Sequence, residues 1–358
     1  MLRLFVRRSN DLTYFTDDPA RELDGIRDGR AGWWLRGSGD TTARNDLVDV
    51  FQSTARSNVQ GYDIIFAAPR PISILLAIDA DRARGVVAAH RASVAIAMQY
   101  LEQHALSVRD RRGGLDVESG AKWSQILSYT HGVNRHGEPH LHDHVLVGAR
   151  PDGATSVLDS RGIYAHVPAA DALYRSSLRF ELAQRSPWSA WRSFRGIEHV
   201  GGLDEGYQVL WGGHHDDRGT KLQWTRRDAV ASWYSDRSRF VSAGALETPR
   251  HDGRSLDEHV FAGAFEGRRE VARRHVVAAW ANAATFGHDP VALTRAVDLL
   301  YPTLGGSWGV REPMIGVPEA RMIGNVRQHG PRPIGGADFD RWIQRVREPS
   351  RSRSERSR

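Results

Sequence analysis

The stretch His131–His144, HGVNRHGEPHLHDH, holds five of the chain's sixteen histidines in fourteen residues. His142 and His144 are two apart and run into VLVG (145–148), a β-branched run that reads as strand. Residues i and i+2 of a strand point to the same face, so both imidazoles can reach one ion. His131 lies eleven residues before His142, at the end of SQILSYT (124–130), another strand-like run. If the two strands pair as neighbours, a third imidazole completes a facial three-histidine site. Three protein ligands leave coordination positions open, as in a catalytic metal site. His136 and His140 are not expected to be ligands. The competing reading is a solvated histidine-rich surface, because His-x-His alone is a weak motif. The His-x-His-x-Asp-His loop of β-lactamase-type metallo-hydrolases is one residue longer than His140–His144 provides.

The full run is more specific. His131, Asn134-Arg135, Glu138-Pro139, Leu141-His142 and His144 resemble, position for position, the third motif of MobF-type (TrwC/TraI-like) conjugative relaxases, H-x2-S-R-x2-D/E-P-x-L-H-T-H. Asn134 stands for the usual Ser and Asp143 for the usual Thr; neither change removes a ligand. A second stretch agrees independently. GYDIIFAAPRPIS (61–73) is similar to the family's G-x-D-L-T-F-S-A-P-K-S-V-S, with Arg70 in place of Lys and Pro71 in place of Ser. Weaker echoes fall at 158–185 and 272–293. The resemblance covers about residues 1–300 and is faintest at the N-terminus and over 186–255.

That resemblance implies an HUH-endonuclease fold, an α+β arrangement of helices packed on an antiparallel sheet. It implies site- and strand-specific nicking and religation of single-stranded DNA through a 5′-phosphotyrosine link, initiating conjugative transfer or mobilisation of a plasmid or integrative element. One divalent metal (Mg, Mn or Zn) is expected on His131, His142 and His144. The family's functional Asp falls on Asp63. It either accepts the tyrosine proton or hydrogen-bonds the second nitrogen of a ligand histidine. The second role is favoured, since a carboxylate beside a dication stays ionised and is a poor base. The family's nucleophile lies within the first thirty residues, commonly in a Tyr-Tyr pair. Here Tyr14-Phe15, followed by Asp17 and Asp18, looks like that pair reduced to one hydroxyl; Tyr62 is the next tyrosine. Arg70 and Arg135, inside the two motifs, are the candidates for phosphate contact. The implied partners are an origin of transfer next to a hairpin, a coupling protein and a separate helicase, with no membrane. Three alternatives remain open: a rolling-circle initiator or transposase of the HUH class, a metal-dependent hydrolase, and a catalytically impaired DNA-binding remnant.

Composition bounds the function from outside. The 358 residues have ample length for a core. No apolar run approaches the roughly 20 residues of a membrane span, and the N-terminus has no signal-peptide h-region, so a cytoplasmic address is expected. Cysteine is absent, which excludes disulfides, thiolate ligands and a Cys nucleophile. The formal net charge is +6, and of 49 basic residues only Lys122 and Lys221 are lysine. Arginine binds phosphate bidentately, so this balance suits nucleic acid, although codon usage in a GC-rich genome gives the same bias.

Along the chain, 2–6 and 63–67 read as strands, with a helical pattern from Ile72 and a long amphipathic helix over 79–104. Gly113-Gly114 reads as a turn. Strands follow at about 124–130 and 143–149, then a helix over 165–185. Residues 206–226 have the pattern of a β-hairpin. Helical patterns fill 255–300. A relaxase domain is expected over 1–300, with a Gly/Pro-rich linker and an Arg-rich, disordered tail over 301–358. No GxxxxGK[ST] loop occurs, so no ATP-driven helicase activity is expected.

Overall fold

The computed structural model describes residues 1–8, 58–78, 80–112, 115–120, 126–134, 138–150, 156–185, 191–194, 197–200, 263–268, 270–283, 287, 289, 290, 293, 297 and 314–316. Tyr14, Arg135, His136, the 206–226 hairpin and the Arg-rich tail lie outside these residues.

A four-stranded antiparallel sheet carries the molecule. Its order is β1 (Leu2–Arg7), β2 (Gly61–Ala67), β6 (Pro139–Gly148), β5 (Ile126–Val133). Among the described strands β1 therefore lies at an edge, and β2 and β6 are central. Period-2 alternation sorts β2 into two faces. Tyr62, Ile64 and Phe66 are buried on one face, and Asp63 and Ile65 point to the other.

Helices cover the Ile64/Phe66 face. α1 (Arg70–Ile78) starts where the Pro69 carbonyl accepts from the amides of Ile72 and Ser73. Pro71 sits in the first turn, where a missing N–H costs nothing. The helix thus begins two residues before the Ile72 expected from sequence. α2 (Ala80–His104) buries Val86, Val87, Val94, Ala97, Met98 and Leu101. α3 (Ser160–Arg185) starts behind Asp159, whose carboxylate accepts from the Arg161 amide at 3.1 Å. It continues through Pro168 and begins five residues earlier than expected. The Leu2 amide donates to Asp171 at 2.7 Å, fastening β1 to α3. Phe66 meets the Tyr174 ring at 5.4 Å between centroids. Burying one such side chain contributes roughly 1.5–3 kcal/mol. α4 (Arg273–Ala283) forms an outer layer on α3 through Val277, Trp280 and Ala281, with Arg179 donating to the Ala281 carbonyl at 2.6 Å.

Small two-stranded pairs complete the described residues: β3 (Ser107–Arg112) with β4 (Leu115–Gly120), β7 (Trp191–Phe194) with β8 (Ile197–Val200), and β9 (Glu270–Ala272) with β10 (Met314–Gly316). β3 and β4 flank the expected Gly113-Gly114 turn. No helix among the described residues is long and apolar enough to cross a membrane.

Two positions make the packing testable. Gly287 has φ +74°, and a Cβ there would run into the Ser176 carbonyl and lie 2.5 Å from the Phe180 amide of α3. Gly287→Ala should therefore destabilise the fold by about 2–3 kcal/mol, read as a lower urea midpoint with an unchanged slope.

His104 stacks on His166 at 6.5 Å and lies 4.9 Å from the Tyr100 ring, over which Arg273 sits at 5.7 Å. Burial, then Arg273 and His166, push its pKa down from 6.5 to about 3. The fold favours the neutral ring. Its contribution is complete above pH 6.5 and is lost as pH falls from there towards 3, because the unfolded chain binds the proton first. Urea unfolding at pH 7 and pH 4.5 should show a smaller loss on acidification for His104→Gln than for the unmodified protein.

Candidate metal centre

The pairing of β5 with β6 builds the centre. His131 stands directly opposite His142, and Tyr129 opposite His144. Across the other edge of β6, Ile65 of β2 pairs with His144 and Ala67 with His142. Both strands reach further towards their connection than the sequence suggested. All three histidines sit within strands, whereas the reading above ended β5 before His131 and started β6 after His142. The reason is local. Asn134 and Glu138 close the connection from both sides: the Asn134 amide donates to the Glu138 carbonyl at 3.0 Å, the Glu138 amide to Asn134 Oδ1 at 3.0 Å, and Asn134 Nδ2 to Glu138 Oε2 at 2.8 Å. The register shifts between His131 and Val133, just past the ligand position.

The result is a near-equilateral triangle of rings. Centroids are 5.2 Å apart for His131–His142, 5.1 Å for His131–His144 and 5.1 Å for His142–His144. One nitrogen from each lies within 4.8 Å of the other two, and all three residues are buried. Nitrogens bound tetrahedrally to one ion at about 2.1 Å would be roughly 3.4 Å apart, which small side-chain rotations supply.

Hydrogen bonds fix which nitrogen each ring offers. His144 Nδ1 is 2.9 and 3.0 Å from the two oxygens of Asp63, so its Nε2 is turned to the cluster. His142 Nδ1 donates to the His140 carbonyl at 2.8 Å, again leaving Nε2 with the lone pair. Burial first, then the neighbouring His140, His131 and His144, hold the His142 pKa well below its usual value. A neutral imidazole is the form that binds metal. The donor set therefore fits a divalent ion. His140 packs its ring against His142 at 4.7 Å but stays outside the cluster of three. Burial, helped by Arg70, lowers its pKa to about 4.

Arg70, the first residue of α1, donates to Glu138 Oε2 at 3.3 Å. It thus ties the two sequence motifs together, and Leu141 does so again by donating its amide to Ser73 Oγ at 3.0 Å. Two tyrosines near the site are poor nucleophiles. Tyr62 belongs to the helix-covered face, and burial raises its pKa. Tyr129 shares the histidine face but is 1% exposed, and burial pushes its phenol far up.

Sequence reasoning passed over what lies behind the centre. Asp143, His90 and Tyr174 are wholly buried and joined in a chain, His90 Nε2 to Asp143 Oδ1 at 3.1 Å and His90 Nδ1 to Tyr174 Oη at 2.8 Å. An aspartate inside a hydrophobic central strand, where Asp is disfavoured, was the available signal.

A family model described as TrwC relaxase matches residues 14–200, and the chain belongs to that family. Among solved structures, the conjugative relaxase TrwC in complex with oriT DNA, in a metal-bound form, aligns with a TM-score of 0.52 at 16% identity, covering 67% of this chain and 98% of that one. It shows the shared fold. A copper-bound form of TrwC with oriT DNA aligns at a TM-score of 0.49 and 15% identity, covering 83% and 96% of the two chains. TrwC complexed with a 27-mer DNA comprising the recognition hairpin and the cleavage site gives 0.45 and 16%, covering 81% and 100%. No curated protein matches the chain.

Removing a ligand and removing the carboxylate behind it should differ in degree. His142→Ala should abolish stoichiometric Zn2+ binding in calorimetric titration. Asp63→Asn should weaken it by about 10–100-fold, since the carboxylate acts through His144.

Proposed function

We propose that this protein nicks and rejoins single-stranded DNA at an origin of transfer, using His131, His142 and His144 to hold one divalent metal and Tyr14 as the nucleophile. The observation that carries the reading is the buried triangle of three imidazoles with Asp63 on His144, in a chain of the TrwC relaxase family. Solved relatives are described as bound to oriT DNA, one with a recognition hairpin. An all-imidazole set suits zinc better than magnesium, which prefers oxygen donors.

Chemically, the Tyr14 phenol oxygen forms a bond to phosphorus and the P–O3′ bond breaks. The phenol loses its proton and the departing 3′ oxygen gains one. No water enters, so the 5′-phosphotyrosine link keeps the bond available for religation. A bound metal supplies positive charge against the non-bridging oxygens, where charge builds up. Asp63 orients His144; two contacts from its carboxylate to one ring nitrogen support this role over that of a base. Arg70 and Arg135 are assigned to phosphate contact.

Chain length permits Tyr14 to reach the site. Arg7 pairs with Gly61, four rungs from Ile65, which pairs with His144 two strands away. At about 3.3 Å per rung and about 4.8 Å per strand, the span is roughly 16 Å. Seven residues from Arg7 to Tyr14 can cover up to about 24 Å. Residues 1–300 are assigned to the relaxase domain and 301–358 to a linker and basic tail adding sequence-independent DNA affinity. A coupling protein and a separate helicase are the partners such a nick requires, in the cytoplasm.

Tyr14→Phe should abolish the covalent, protease-sensitive adduct with an oligonucleotide spanning the origin, seen as a denaturing-gel shift. DNA retention and Zn2+ binding should stay within about twofold, since Phe keeps the ring's packing. An adduct that persists in this variant would place the nucleophile on another tyrosine.

A further inference from the structure

β6 is a two-sided strand at the centre of the molecule. His142 and His144 point to one face of the sheet, and Asp143, between them, points to the other. Its side chain is completely buried. Oδ2 accepts from Ser128 Oγ at 3.1 Å, Oδ1 meets His90 Nε2 at 3.1 Å, and Thr130 contributes a further side-chain hydrogen bond. Arg91 of α2 donates from both Nε and a terminal nitrogen to Thr130 Oγ1, each at 3.2 Å. His90 passes the chain on to Tyr174 of α3 at 2.8 Å.

Ser128 and Thr130 belong to β5, the strand that carries His131. One carboxylate therefore holds both metal-bearing strands, and it does so at the rung beside the ligands: Thr130 pairs with Asp143, and His131 with His142. Beyond His131 the register shifts, so the ladder alone does not hold that histidine from both sides. Thr130, immediately before it, is the last regular anchor. Two helices grip the same carboxylate: α2 through His90 and, by way of Thr130, Arg91, and α3 through Tyr174 on His90.

We propose that Asp143 is a positioning residue for the metal centre, which with Ser128, Thr130, His90 and Tyr174 sets from the opposite face of the sheet the separation of His131 from His142 and His144. It touches neither metal nor substrate. It acts by fixing the relative placement of β5 and β6 at one rung, much as an outer hydrogen bond fixes a ligand ring. The proposal rests on the metal reading above and adds the source of the triangle's rigidity.

Co2+ is the probe, because its visible spectrum reports ligand geometry separately from affinity. Asp143→Asn keeps the shape but removes the charge. Ser128→Ala removes a single hydroxyl and leaves the buried carboxylate its other partners, so it decides the matter if Asp143→Asn does not fold. Each folded variant, checked by circular dichroism and thermal melting, is titrated with Co2+ at 10 °C, well below its melting temperature. The expected result is a Kd raised by about 10-fold for Asp143→Asn and several-fold for Ser128→Ala, with shifted d–d bands at saturation. A lower melting temperature with unchanged Kd and unchanged bands would reduce the network to core packing and overturn the proposal. Failure of the unmodified protein to bind Co2+, with or without these variants behaving alike, would overturn the metal reading itself and this inference with it.

Discussion

Register between β5 and β6 is the constraint on which the rest depends. A strand's side chains alternate, so a slip of one residue would send His131 to the helix face and Thr130 to the histidine face. Several independent contacts forbid that slip. Asn134 and Glu138 fix the length of the connection, Leu141 is held to Ser73 and Ala68, and Asp143 is held to Ser128. The same alternation lets one short sequence supply a polar cluster above the sheet and a buried polar chain below it. Packing on the helix face and ligand geometry on the histidine face are consequently one problem, because both are written on the same three residues, 142 to 144.

The cost of this arrangement is carboxylates in places where they are poorly hydrated. Asp63 and Asp143 are both buried, on opposite faces. Each is tolerated because hydrogen-bond donors surround it: a histidine ring for Asp63, and a histidine with two hydroxyls for Asp143. Neutral imidazoles, in turn, keep the interior from accumulating positive charge. His142 is neutral by burial, and His104, at the end of α2, by burial and a neighbouring guanidinium. Such rings give a lone pair to a cation or a face to an aromatic neighbour without demanding a counter-charge.

The sequence made the histidine cluster readable because its geometry is short-range. A two-residue spacing on one strand and an eleven-residue hairpin determine it, and the motif around Asp63 supplied the neighbouring strand. The long helix over 80–104 was equally plain from its periodicity. What escaped notice depends on partners far away in the chain. His90 and Tyr174 lie 53 and 31 residues from Asp143, and nothing local marks them as its companions. β3 was missed for another reason: SVRDRR is too charged to look like a strand, and only its pairing with LDVESG, in a register that sets Arg109 opposite Glu118 and Arg111 opposite Asp116, reveals it. Helix starts were placed late at both α1 and α3. Proline is at home in a first turn, so Pro71 does not delay α1, and the Asp159 cap begins α3 ahead of the periodic pattern at 165.

The edge strand has a topological consequence. β1 leaves the sheet at Arg7, and β2 begins at its direct partner Gly61, with the Gln60 amide donating back to the Arg7 carbonyl at 2.8 Å. β1 ends and β2 begins on the same rung, at the end of the sheet remote from His142, so the residues between them form a loop whose length the ladder does not fix. Its closure entropy grows only with the logarithm of its length, about 0.6 kcal/mol for each doubling. Evolution could therefore lengthen, shorten or rewrite this segment, exchanging one tyrosine for two or the reverse, without renegotiating the sheet. The scaffold and the segment bearing the proposed nucleophile are joined like a lock body and an interchangeable key.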